Sequence, residues 1–240
     1  GKTITLEVPA VIVQGRTLVP LRFVSEILGA QVTWRATDRT IQVKTTAVRQ
    51  QPLVFGYYLG RDTWGTGLSY QSVSRYGNYL DAVIIASYAL RGDGTFDPSS
   101  YDSEPLFQLA AQQDLPVLVL VRNLGFSRST ATQLLRSSAA RQRAVENISQ
   151  LMARGYAGVN IDFENVAPAD RAYYTAFIRQ LAAKLRPAGY LLAVAVPAKL
   201  RDDPQHGWSG AFDYQALAPL VDYLIVMAYD QHWGNGSVQG

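Results

Sequence analysis

Asp162 and Glu164 stand two residues apart in the run GYAGVNIDFENV, residues 155 to 166. Gly158, Asn160, Asp162 and Glu164 fall at every second position, with Val159, Ile161 and Phe163 between them. Side chains of a β-strand alternate between its faces, so the polar set shares one face and the apolar set the other. A rise of about 3.3 Å per residue spaces the two carboxyl groups about 6.5 Å apart along that face. Like charges so close raise the pair's apparent pKa and favour a protonated acid. No Lys or Arg lies beside them in sequence. Two carboxyl groups buried without such a partner are costly unless they are used, which makes Asp162 and Glu164 the candidate active site. The bland alternative is a polar strand paired with an arginine from elsewhere in the chain.

The flanking elements must hold that strand with both faces covered. Helical runs precede and follow it, as in a βα repeat, so the polar face should point into a barrel interior or crevice. From residue 53 onward such units follow one another. Strands are expected at Leu53 to Leu59, Asp81 to Tyr88, Pro116 to Val121, the carboxylate strand, Tyr190 to Val196 and Asp222 to Ala228. Helices are expected over Tyr70 to Tyr79, Glu104 to Gln113, Ser138 to Arg154, and from Pro168 to Pro187. The alternation predicts a parallel sheet, most economically a (β/α)8 barrel of the TIM type, with its site at the carboxyl ends of the strands. Six units are countable where eight are needed. The expectation is therefore a barrel truncated after its sixth strand, in a protein that continues beyond Gly240.

Residues 1–46 read differently, as a small α+β domain joined to the barrel region, residues 52–240, by a short polar connection. Strands at Thr3 to Val8 and Val11 to Val13 lead to a helix over Pro20 to Leu28. Leu21, Val24, Ile27 and Leu28 form its apolar stripe. A hairpin follows, pairing Gln31 to Trp34 with Thr40 to Lys44.

The 240 residues are 48% hydrophobic and 17% charged, ordinary for a globular protein with ample core. The formal charge of +3 is scattered, which is no nucleic-acid footprint but is compatible with an anionic polymer such as cell wall. No cysteine occurs, so disulfides, thiolate metal sites and a cysteine nucleophile are excluded. The two histidines are too few for an ordinary zinc hydrolase site. No phosphate-binding loop, dinucleotide fingerprint or membrane-length apolar run is present, and neither metal nor cofactor is expected. Nothing in the sequence sets the oligomeric state.

GVNIDFEN resembles the D-x-x-D-x-D-x-E strand motif of glycoside hydrolase family 18, the chitinase family. Met227 to Asp230, MAYD, is similar to that family's sixth-strand motif. With the preceding GY and the following QHW, the likeness is closest to the spore-germination, cortex-lytic branch. It covers about residues 53 to 240, with both motifs on the strands where the family has them. The resemblance implies hydrolysis of β-1,4 links beside N-acetylglucosamine, with the substrate's acetamido group in place of a protein nucleophile. Glu164 would be the acid, Asp162 would hold the acetamido N–H, and Tyr229 would donate to the acetamido oxygen. Asp230 would contact the sugar or the acid. Inward-facing Met227 and Asn160 join the expected substrate-binding set.

Two family positions differ. The motif's first Asp is Ala157 and its second is Asn160, which can hydrogen-bond Asp162 but not share a proton with it. The third strand carries VRNLG where many chitinases have Ser-x-Gly-Gly. This favours N-acetylglucosamine in peptidoglycan, of spore cortex or cell wall, as substrate and partner, and a secreted, wall- or spore-associated protein. Chitin oligosaccharides, or glycan binding without cleavage, are the alternatives. Tyr88 and Asn123, at the ends of the second and third strands, are read as lining the cleft, with loop-turn roles as the alternative. Trp233 is the best placed of the tryptophans for stacking on a sugar. The stretch GRTLVPLRFVSEILGAQVTWRATDRTIQV resembles the copper amine oxidase N-terminal domain over roughly residues 11 to 43. It contains no His, Cys or Met, which implies an accessory module without copper.

Overall fold

The computed structural model describes residues 11–13, 16–18, 21–27, 30–45, 52–60 and 67–229. The chain divides into two compact units, Gly1–Pro52 and Leu53–Gly240.

In the first unit, β1 (Val11–Val13) pairs antiparallel with β2 (Arg16–Leu18), ahead of α1 (Leu21–Ile27). β3 (Ala30–Arg35) and β4 (Thr40–Thr45) form the expected hairpin, with Trp34 opposite Ile41 and Val32 opposite Val43. Its turn is closed by Asp38, whose Oδ1 accepts from the Thr40 hydroxyl at 2.7 Å and from Arg39-flanking Thr40 N–H at 3.3 Å. The strand expected at Thr3 to Val8 lies outside the described residues. β2 has no counterpart in the expected order, since three residues are too few to display a period.

The second unit follows a single winding rule. Its strands are β5 (Phe55–Tyr58), β6 (Ala82–Leu90), β7 (Val117–Asn123), β8 (Gly158–Asp162), β9 (Leu191–Pro197) and β10 (Tyr223–Met227). All five neighbouring pairs are parallel, and spatial order equals chain order from β5 to β10. Each strand is thus laid beside its predecessor, the winding of a β/α barrel rather than of a doubly wound sheet. The helices between them are α2 (Leu68–Tyr76), α3 (Glu104–Gln112), α4 (Arg128–Arg136), α5 (Ser138–Leu151), α6 (Arg171–Leu185) and the short α7 (Tyr214–Leu217). Neither α4 nor α7 was legible in the sequence. Ser127 starts α4 by accepting from Thr130 N–H, and Ser137 does the same for α5 through Ala140 N–H.

Alternation sorts the strand residues into two apolar layers. Val83, Val119, Val121, Val159, Ile161, Phe163 and Val194 pack outward with helix residues such as Leu134, Ile148 and Phe177. Ala82, Ile84, Leu118 and Leu120 pack inward with Phe55, Leu191 and Ile225, without helix residues. Phe55 on one edge strand meets Tyr223 on the other edge-to-face, with ring centroids 4.9 Å apart. The six-stranded sheet is curled until side chains of its outermost strands touch across the interior.

Close approach at the base of the motif strand explains Gly158. A Cβ there would lie 2.3 Å from the Leu191 carbonyl oxygen and 2.7 Å from Leu191 Cβ, so β8 could not sit against β9 at its present register. Gly158→Ala is expected to destabilise by about 1–3 kcal/mol, the usual cost of forced overpacking. A lower urea midpoint with an unchanged slope would show it, and an unchanged midpoint would contradict it.

Candidate active site

The candidate site lies at the carboxyl end of β8. Asn160 and Asp162 are on its inner face, while Val159, Ile161 and Phe163 are wholly buried on the outer one. Phe163 anchors the strand end by stacking on Phe177 at 5.5 Å and lying 6.1 Å from Tyr174. β8 ends at Asp162, so Glu164 follows the last ladder pair rather than belonging to the strand.

Asp162 is the electrostatic centre of the group. Its Oδ1 is buried and accepts no hydrogen bond among the described residues. Burial pushes its pKa up to about 6, an effect opposed by the positive charge of Arg122. The like charge of Glu164, expected from the spacing to raise it, is therefore not the principal cause. Arg122 occupies β7 directly opposite Asp162 in the parallel register and faces the same interior. Its guanidinium carbon lies 5.1 Å from the centre of the Phe126 ring, and it forms no ion pair within 4.0 Å among the described residues. No neighbour in sequence pointed to Arg122, because it is 40 positions away and reaches Asp162 only through strand pairing.

Glu164 is held by its backbone. Asn123, wholly buried, accepts from Glu164 N–H at 3.0 Å through Oδ1 and donates to the Glu164 carbonyl at 3.1 Å through Nδ2. Nδ2 also donates to the Ser127 carbonyl at 3.0 Å. This corrects the expectation that Asn123 lines the cleft, since its amide is enclosed and committed to backbone. The following Asn165 adopts a left-handed φ of 56° and is gripped by Arg128, which donates to its Oδ1 at 2.9 Å and to the Gly207 carbonyl at 3.1 Å.

Asn160 does not turn to Asp162. Its Nδ2 donates instead to the hydroxyl of Tyr57 on β5 at 3.3 Å. Tyr57 is 49% exposed overall, while its hydroxyl accepts this bond in a partly buried setting. Burial first, then the charges of Asp162 and Tyr229, push its pKa up to about 12. Tyr57 thus joins the group from the opposite side of the curled sheet, another partner with no signal in the local sequence. Met227 is buried at the end of β10 opposite Pro197, and Tyr229, two residues on, is 73% exposed. Asp230 and Trp233 lie outside the described residues.

Tyr88 is the second correction. A bulge between Ala86 and Tyr88 reverses the alternation of β6 and turns Tyr88 into the outer, helix-facing core. Its hydroxyl donates to Asp102 at 2.9 Å, beside Tyr156, which donates to the same carboxyl oxygen at 2.8 Å. Tyr88 is a buried structural residue with its hydroxyl already spent. Among the described residues no group of three His, Cys, Asp or Glu side chains is arranged to hold a metal ion, and no helix is long and apolar enough to cross a membrane.

The family profile described as glycosyl hydrolases family 18 matches residues 54–239, and that of the copper amine oxidase N-terminal domain matches residues 1–44. The chain is 36% identical over 169 residues to YdhD of Bacillus subtilis (strain 168), named as a sporulation-specific glycosylase, covering 69% of this chain and 40% of that protein. It is 28% identical to the cortical fragment-lytic enzyme of Bacillus anthracis, covering 66% of this chain and 37% of the relative. The crystal structure of a class V chitinase from Pseudomonas fluorescens Pf-5 superposes with a TM-score of 0.70 at 28% identity, over 78% of this chain and 58% of the other. The chain thus spans well under half the length of these two curated relatives.

The electrostatics yield a pH signature. Asp162 ionises near 3.8 when exposed and near 6 in the fold, so between those values the folded state holds more protons. Folding stability is accordingly lost as pH rises from about 4 to about 6 and is flat above. Asp162→Asn should remove this component, its melting temperature gaining on the parent across that window. Arg122→Met should extend the parent's loss to higher pH. A constant difference between parent and Asp162→Asn from pH 3.5 to 7 would contradict the burial of this charge.

Proposed function

The chain belongs to glycosyl hydrolase family 18, and we propose that it cleaves β-1,4 links beside N-acetylglucosamine by retaining, substrate-assisted hydrolysis. One observation carries the reading. A half-buried Asp162, with a buried Oδ1 that no hydrogen bond answers among the described residues, precedes by two residues a glutamate held in place by its backbone.

In this mechanism Glu164 gives its proton to the glycosidic oxygen as the bond from that oxygen to the anomeric carbon breaks. The acetamido oxygen bonds to that carbon in the same step, forming an oxazolinium ion and freeing the leaving sugar as an alcohol. Asp162 accepts the acetamido N–H on its open Oδ1 and balances the developing positive charge. Its burial makes that interaction stronger than it would be in water. Tyr229 donates its hydroxyl to the acetamido oxygen, with Asn160 and Met227 walling the pocket beneath and Asp230 and Trp233 contacting the sugar. Water then attacks the anomeric carbon, the Glu164 carboxylate takes its proton, and the acetamido oxygen departs. Two displacements at one carbon restore its configuration.

Peptidoglycan is the proposed substrate, in spore cortex or wall. The names of YdhD and the cortical fragment-lytic enzyme support it. So does Arg122, which puts a cation on the cleft side of the strand where many chitinases carry Ser-x-Gly-Gly, and which suits an anionic glycan. Chitin oligosaccharides are the second reading, supported by the likeness to the Pseudomonas chitinase. Residues 1–46 are proposed as an accessory module facing the wall of a secreted enzyme, supported by the match over residues 1–44.

The test is digestion of purified cortex peptidoglycan, vegetative peptidoglycan and chitin oligosaccharides, with fragments identified by mass spectrometry. The parent should release products with new reducing N-acetylglucosamine ends from peptidoglycan. Glu164→Gln should lower that rate by about 10²–10⁴-fold, the usual contribution of a general acid, while still pelleting with the wall. Pelleting by both proteins without fragments would instead make this a glycan-binding protein.

A further inference from the structure

We propose that Asn123 is the positioning residue for Glu164, its side-chain amide continuing the β7–β8 ladder two residues past the end of β8. The inference rests on the glycosidase reading of the site.

Backbone pairing between β7 and β8 stops at Arg122 and Asp162, and pairing between β8 and β9 stops at Ile161 and Val194. Glu164 lies beyond the last pair of both ladders among the described residues. A proton donor carried on a free-swinging turn would seldom be at the right distance from the glycosidic oxygen. Asn123 replaces the missing strand. One carbonyl-type oxygen accepts from Glu164 N–H, and one amide nitrogen donates to the Glu164 carbonyl, the two-bond pattern a paired strand would supply.

The amide is itself oriented. Its second N–H donates to the Ser127 carbonyl, just after a tight turn in which Gly125 and Phe126 both have left-handed φ, 65° and 50°. Donor and acceptor ends therefore cannot be exchanged without setting N–H against N–H and C=O against C=O. Only a carboxamide of this length satisfies all three bonds. An aspartate would keep the Glu164 N–H contact and place lone pairs against two carbonyls. Asn123 is wholly buried, so it acts on substrate through Glu164 alone. Arg128 adds an outer grip on the same turn, through Asn165 and Gly207, from an exposed position.

A residue that places the acid has a signature that a merely structural or sugar-binding residue lacks. Loss of proton donation hurts substrates with basic leaving groups and spares those whose leaving group departs as a stable phenolate. The experiment measures kcat/KM, which reports the step up to departure, for parent, Asn123→Asp, Asn123→Ser and Arg128→Met. The substrates are the natural glycan and its phenyl, 4-methylumbelliferyl and 4-nitrophenyl β-glycosides, built on whichever N-acetylglucosamine oligosaccharide the parent cuts. Both Asn123 variants should lose about 10²-fold on the natural glycan, as expected for a misplacement near 1 Å, and under ten-fold on the 4-nitrophenyl glycoside. KM should stay within about two-fold. Arg128→Met, on the surface and not at risk of unfolding the core, should show the same dependence on leaving group in weaker form.

Equal loss across all leaving groups in the folded variants, or no loss, would overturn the positioning role while leaving the glycosidase reading intact. If both Asn123 variants fail to fold, a flat leaving-group profile for Arg128→Met overturns it. A parent that cuts none of the substrates would overturn the glycosidase reading, and this inference with it.

Discussion

Parallel pairing of β7 with β8 is the interaction on which the cleft depends. It sets Arg122 opposite Asp162 across the last rung, and it aims the Asn123 amide at the peptide groups of Glu164 beyond. Neither contact would survive a one-residue slip, because such a slip turns every side chain to the opposite face. The slip is prevented from behind. Val159, Ile161 and Phe163 are wholly buried among the helices, and exposing them would forfeit roughly 1.5–3 kcal/mol apiece. Apolar packing on one face of β8 thus sets the position of the chemistry on the other.

Tension is built into that polar face. Partial burial disfavours the charged form of Asp162 and raises its pKa to about 6, with the charge of Arg122 only partly opposing the rise. The turn after β7 and the turn after β8 each hold a non-glycine residue at left-handed φ, Phe126 and Asn165. Asn tolerates this through its short polar side chain; Phe has no such recourse and is strained. Arg122 stacked over the Phe126 ring and Arg128 locked on Asn165 are the contacts that keep these turns in place. Stability given up around one strand end, in a scaffold otherwise well packed, is the pattern of a site selected for chemistry.

Curling of the sheet supplies the remaining wall. Tyr57 comes from the first strand of the second unit and Tyr229 follows the last, yet Tyr57 lies within electrostatic reach of both Tyr229 and Asp162. The Phe55–Tyr223 contact below them shows how: the interior is narrow enough for opposite edges to meet. Small residues on the inner faces, Ala86, Ala193 and Ala195, leave the room in which Asn160 and Asp162 project.

The amino-acid sequence by itself determined the winding and the pair of carboxyl side chains offered as the site. Six apolar runs separated by helical ones, and a strict polar–apolar alternation over residues 158 to 164, are local patterns, and local pattern suffices to specify element type and the face each side chain takes. Asp162 and Glu164 were legible for that reason. The fate of Tyr88 was not, because a bulge is a property of two strands aligned, and no single strand's sequence records it. Asn123 looked like a cleft residue from its place at a strand end. Only the neighbouring strand, 41 positions later, decided that its amide would hold a glutamate's backbone instead of a sugar. Arg122 and Tyr57 reached Asp162 in the same way, through pairing and curvature. Alternation is written residue by residue, whereas contact between distant strands exists only once the sheet has closed on itself.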